Sequence, residues 1–119
     1  MLVVDRDEEA LNFARAVLED CGAEVETVFS ITEALKAMQR LNPDVLVSEI
    51  GLPMADGNDL LRQVRSISGC AKIPAVAFTA YGRVEARVRA WRSGFQLRLP
   101  KPIDPAELVA AVASLVISN

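Results

Sequence analysis

The sequence predicts an α/β domain in which a parallel sheet lies between two helical layers. Short apolar runs alternate with longer segments of helical periodicity, and five such strand-helix units follow one another. The third run, Asp44-Val45-Leu46-Val47-Ser48, is apolar almost without interruption, as a parallel strand covered on both faces must be. A length of 119 residues suits one domain, against a usual span of roughly 100 to 200 residues.

Each element has a local reason. Leu2-Val3-Val4 is the first strand, and Ala10, Leu11, Ala14, Val17, Leu18 and Cys21 recur at helical spacing until Gly22 offers a stop. Ala23 to Val28 reads as the second strand. Ser30 and Glu33 then form a capping box ahead of the stripe Ala34, Leu35, Met38 and Leu41, which Asn42-Pro43 ends. After the third strand, a loop with Gly51, Pro53 and Gly57 leads to a helix marked by Leu60, Leu61, Val64 and Ile67. Pro74 to Thr79 is a fourth strand, 83–93 a helix with Val84, Val88 and Trp91 on one stripe, and Gln96 to Leu99 a short fifth strand. The last helix starts at the cap Asp104, with Pro105 in the first turn, Glu107 completing a capping box, and Leu108, Ala111, Val112 and Leu115 facing inward.

Composition removes several function classes. Hydrophobic residues make up 51% and charged residues 24% of the chain, enough apolar material for a folded core. Thirteen basic against sixteen acidic residues give a net charge of -3, which argues against direct nucleic-acid binding. Histidine is absent, so Ser-His-Asp catalysis, histidine-ligated metals and phosphohistidine intermediates are all excluded. Cys21 and Cys70 lie far apart and are expected as free thiols in a reducing compartment. No apolar run approaches the roughly 18 residues of a membrane span, so a cytoplasmic location without membrane contact is expected.

In parallel sheets, ligands bind beyond the carboxyl ends of the strands, where strand order reverses. Those ends carry Asp5, Arg6 and Asp7 after the first strand, Glu49 after the third, Thr79 after the fourth, and Lys101-Pro102 after the fifth. Carboxylates, a hydroxyl and a lysine from four strands converge on one crevice if the sheet forms as expected.

At these residues the sequence resembles the response-regulator receiver domain of two-component signalling, over essentially the whole of 1–119. The matching pieces are Leu2-Val3-Val4-Asp5, Pro43 to Pro53 with Asp56-Gly57, Phe78-Thr79-Ala80, and Leu99-Pro100-Lys101-Pro102. The resemblance implies a flavodoxin-like doubly wound sandwich of five βα units, with sheet order 2-1-3-4-5. It also implies a signalling module that accepts a phosphoryl group from a histidine kinase onto an aspartate with Mg2+ and then changes its surface, with no catalytic residues of an enzyme. Gly94 to Pro102 is similar to receivers at the carboxyl end of hybrid sensor kinases.

Three positions depart from the family pattern. Glu49 stands where the resemblance implies the phosphoacceptor aspartate, Arg6 where it implies a metal-ligating acid, and Arg98 at the aromatic switch position. Thr79 matches the switch hydroxyl and Lys101 the lysine that pairs with the phosphoryl group; the Lys101-Pro102 bond is expected to be cis, as in the family. Asp5 and Glu49 contribute two negative charges, and Arg6 and Lys101 two positive ones, so the four are neutral without a cation. Metal binding is therefore expected to be weak or lost and no cofactor is expected; Asp5 and Asp7 remain the candidate ligands, although Asp7 also suits the N-cap of the first helix.

A glutamate displaces the carboxylate by about 1 Å, and misplacement of that size can cost about 10²-fold in rate. The longer reach also puts a permanent charge nearer the place of a phosphoryl group. Two readings of Glu49 stand side by side: a mimic of the phosphorylated state, and a decayed site. A further reading keeps metal-dependent phosphorylation on Glu49 or on a neighbour such as Ser48. A flavodoxin-like ligand-binding domain is the remaining class, although no glycine-rich loop follows the first strand.

For partners, the resemblance points to a histidine kinase or an output domain, and to a face made by the helix at 83–93, the fifth strand and the last helix. That region holds Trp91 with Arg83, Arg87, Arg89, Arg92 and Arg98, suited to an acidic surface, and would also pair two copies in a homodimer.

Overall fold

The computed structural model describes residues 1–41, 43–49, 57–67, 72–79, 95, 97–100 and 104–117. The strands are β1 (Leu2–Val4), β2 (Glu26–Val28), β3 (Leu46–Glu49), β4 (Ala75–Thr79) and β5 (Leu97–Pro100). The described helices are α1 (Glu8–Asp20), α2 (Ile31–Leu41), α3 (Gly57–Ser66) and α4 (Pro105–Ile117). All strand pairings are parallel and the order is β2-β1-β3-β4-β5, the doubly wound arrangement expected from the sequence. The helix expected at 83–93 lies outside the described residues.

Alternation along the strands divides the core in two. Leu2, Val4, Leu46, Ala75 and Ala77 meet Ala34, Ala37 and Met38 of α2 and Leu60, Leu61 and Val64 of α3. On the opposite face, Val3, Val45, Val47 and Val76 meet Leu11, Ala14 and Leu18 of α1 and Leu108 and Val112 of α4. Strands β1 and β3 are covered from both sides, which explains why Leu2-Val3-Val4 and Val45-Leu46-Val47 are apolar without alternation. Arg65 joins α3 to the segment before β4 by donating from Nη1 to the carbonyl of Ile73, and burial pushes its pKa below the ordinary arginine value.

The caps form largely as read. Asp7 accepts the Glu9 N–H at 3.0 Å at the start of α1. Ser30 accepts the Glu33 N–H at 3.2 Å and donates to the Glu33 carboxylate at 3.3 Å. Asp104 accepts the Ala106 N–H at 2.7 Å. Glu107 is exposed and, among the described residues, returns no bond, so Asp104 caps α4 alone.

Several boundaries differ from the sequence reading. Cys21 is exposed instead of continuing the apolar stripe, because it is already the C-cap of α1. Gly22 follows with φ of 90°, a left-handed conformation that glycine adopts without strain, and Ala23 bonds back to Leu18 at 3.1 Å. This closing turn uses residues assigned to the second strand, so β2 begins only at Glu26. Strand β3 is displaced towards its carboxyl end, since its ladder with β4 runs on to Glu49 paired with Phe78. Pro100 pairs with Thr79 as the last residue of β5, an outer strand, where a missing N–H is tolerated. Leu41 closes α2 at the surface, 40% exposed.

Truncating Leu46 to alanine should remove about 2–5 kcal/mol of unfolding free energy, as for other fully buried leucines. Leu41→Ala should cost less than about 1 kcal/mol when both variants are compared by urea titration, since its side chain is already partly hydrated.

Candidate functional site

From β1 the chain first adds β2 on one side, then crosses to place β3 on the other. The reversal of strand order therefore falls between the carboxyl ends of β1 and β3. Val4 pairs with Ser48, so the next residues, Asp5 and Glu49, leave adjacent strands at the same level. Both share the alternation of Val3 and Val47 and belong to the side of the sheet covered by α1 and α4.

Both carboxylates are buried, Asp5 at 0% and Glu49 at 5% relative exposure. Ionised groups are rarely held so far from water without partners. Asp5 is fixed from two directions: its N–H donates to the Val28 carbonyl at 3.2 Å, prolonging the β1–β2 ladder, and its Oδ1 accepts the Asp7 N–H at 2.9 Å. One acid thus shapes the turn into α1 while the next but one caps that helix. Ser48, fully buried, donates from Oγ to the Glu49 carbonyl at 3.0 Å and stiffens the end of β3.

The other residues named from the sequence divide into three groups. Arg6 and Asp7 are exposed, in contrast to the buried Asp5 and Glu49. Thr79 and Arg98 take strand positions, Thr79 as the final residue of β4 and Arg98 opposite Ala77 in β5; their side chains lie outside the described residues. Arg87, Trp91, Lys101 and Pro102 also lie outside them, and with them the expected cis bond and the arginine-rich face. The sequence reading missed Arg15, which donates from α1 to Thr27 Oγ1 on β2 at 3.1 Å. Its place about two turns from the capped start of α1 was the available signal.

The strand order β2-β1-β3-β4-β5, with two buried acids where it reverses, is the architecture of a receiver-like signalling domain, and comparison with known proteins agrees. The chain belongs to the response regulator receiver domain family, whose model matches residues 1–113. An uncharacterized 14.6 kDa protein from the sodA1 3' region of Leptolyngbya boryana is 43% identical over 112 residues, covering 94% of this chain and 86% of its own. The response regulator Rre1 of Synechocystis sp. is 32% identical over 98% of this chain, which spans only about half (51%) of Rre1. Among solved structures, the chemotaxis response regulator CheY4 of Vibrio cholerae superposes with a TM-score of 0.89 at 27% identity, covering 96% of this chain and 95% of CheY4. Receivers are signalling domains of two-component systems that work through histidine kinases and output domains. Among the described residues no helix is long and apolar enough to cross a membrane.

Because Asp7 caps α1, Asp7→Ala should lower stability by about 1 kcal/mol in denaturant titrations. A loss of that size, with the native fold retained by circular dichroism, assigns Asp7 its role in helix initiation.

Proposed function

We propose that this domain is a receiver module that works by protein contact without phosphoryl transfer, with Glu49 in place of the phosphoacceptor aspartate and Arg6 in place of a metal-ligating acid. The observation that carries this reading is the burial of Glu49 beside Asp5 at the point where strand order reverses. A carboxylate in that position costs desolvation energy. A buried acid that carries this cost suits a fixed negative charge better than a decayed site. Glu49 then holds permanently the charge that phosphorylation would supply in other receivers, with Lys101 as the cation that answers it and Thr79 as the switch hydroxyl.

The donor set does not suit Mg2+. Octahedral magnesium calls for carboxylates and waters around an accessible ion. Here one Asp5 oxygen is engaged by the Asp7 N–H, Asp7 is committed to the start of α1, and the residue between them is a cation. Phosphoryl transfer depends on neutralising charge at the transferring oxygens, and a single guanidinium charge does not replace a divalent cation there. Ser48 is no substitute nucleophile, since its hydroxyl is buried and already donates to a carbonyl. The partner is a signalling protein, a histidine kinase or an output domain, and the contact is constitutive.

Incubation with a small-molecule phosphodonor and millimolar magnesium should leave the intact mass unchanged, and magnesium titration followed by the single tryptophan should show no saturable change. Glu49→Asp alone should restore little. Arg6→Asp combined with Glu49→Asp should recover both metal binding and phosphorylation; recovery by the single change would show that Arg6 is not the obstacle.

A further inference from the structure

The structure assigns a docking site to the end of the sheet opposite the buried acids, where a groove takes a short cationic and apolar peptide segment of a partner protein. The groove has a volume of about 650 Å3 and lies where the chain enters β1, β2 and β3. One wall is the turn after α1, with Gly22, Glu24 and Val25; the other is the end of α2 and the approach to β3, with Leu41, Pro43 and Asp44. Gly22 makes the first wall possible, since its left-handed φ of 90° turns the chain back towards β2. Leu41, the last member of the apolar stripe of α2, stays 40% exposed in the second wall. The space falls within the about 300–1,000 Å3 of ordinary ligand pockets, enough for a few side chains of a partner.

Charge selects the occupant. Between Arg15 and Lys36 the chain carries five acids, Glu19, Asp20, Glu24, Glu26 and Glu33, and no base. Three carboxylates line the groove, those of Glu24, Glu26 and Asp44. Glu26 is answered by Arg40 at 3.1 Å. The Asp44 side chain is 69% exposed and lies 3.8 Å from the Met1 amino group, which gives its hydrogen bond to the Glu24 carbonyl at 2.7 Å. Glu24 makes no salt bridge among the described residues. Glu19, whose carbonyl accepts the Gly22 N–H at 2.9 Å, adds a further exposed carboxylate at the same turn. A bare metal ion is a poor fit, because the described residues hold no group of three or more acids arranged for one, and Leu41, Val25 and Pro43 offer an ion nothing. A guanidinium or ammonium on an aliphatic stem suits both parts of the wall: its charge reaches the acids while its stem and an apolar neighbour cover Leu41. A second copy related by a two-fold axis would set the same acids against one another, which like-charge repulsion opposes. The strands separate this groove from Asp5 and Glu49, so the surface is distinct from the proposed role of Glu49 and does not rest on it.

Three synthetic peptides of about nine residues, alternating arginine with leucine, glutamate with leucine and arginine with serine, test the assignment by amide chemical-shift mapping on the full chain. The arginine–leucine peptide should shift the amides of Gly22, Glu24, Leu41 and Asp44 saturably, and the other two should bind roughly ten-fold more weakly or worse. Leu41→Ala, at a half-exposed position, should weaken the arginine–leucine peptide by roughly five-fold, and Glu24→Lys by roughly ten-fold. Glu9→Lys makes the same change of charge at an exposed position at the other end of α1 and should leave the affinity unchanged, which separates a local contact from the general attraction of an acidic chain. Equal binding of the three peptides, full affinity in either groove variant, an equal loss in Glu9→Lys, or shifts confined to other surfaces would overturn the proposal. So would dimerisation that shifts the groove amides without any peptide, which would make a second copy the occupant.

Discussion

The parallel ladder between β1 and β3 is the constraint on which the rest of this domain depends. It joins two strands buried on both faces, and the register Leu2–Leu46, Val3–Val47, Val4–Ser48 settles which residues enter each half of the core. A slip of one residue would turn every side chain of β3 to the other layer, placing Ser48 and Glu49 on the wrong faces. The same register brings Asp5 level with Glu49. Core packing and the composition of the candidate site are thus consequences of a single pairing, and neither could be altered without the other.

Much of this was legible in the sequence because the relevant signals are local. The caps at Asp7, Ser30 and Asp104 need only a side-chain oxygen and N–H groups two or three residues ahead, and all three form. The apolar run at Val45 to Val47 could be read as a central strand because covering on both faces leaves no polar alternation. What failed to be legible was set by longer-range geometry. The position of Cys21 at the surface depends on the chain leaving α1 one residue before the periodicity breaks, and the short β2 depends on the turn that Gly22 makes possible. Glu49 looked like a residue beyond its strand, although a partner in β4, 29 residues later in the chain, keeps it within the ladder. For the site, the presence of Asp5 and Glu49 could be read directly, but the division of labour among three consecutive residues could not. Asp5 is buried and bonded to its own turn, Arg6 is in solvent, and Asp7 is used by the helix.

That division also shows which positions the fold constrains and which it leaves open. The turn after β1 needs a carboxylate at Asp5 and a cap at Asp7, and both demands are met whatever stands between them. Position 6 is exposed, so the identity of its side chain bears little on stability. Glu49 is the opposite case, a buried group whose burial cost is borne by the surrounding fold.

Strand β2 has a consequence of another kind. It is the outermost strand on its side and would offer a row of unpaired backbone groups to any other extended chain. It is only three residues long, Glu26 is held by Arg40 of α2 at 3.1 Å, and Thr27 is held by Arg15 of α1. Two charged side chains from opposite helical layers therefore clamp a strand too short to template an intermolecular sheet. The brevity of this edge and the charged side chains along it leave little backbone for another extended chain to pair with.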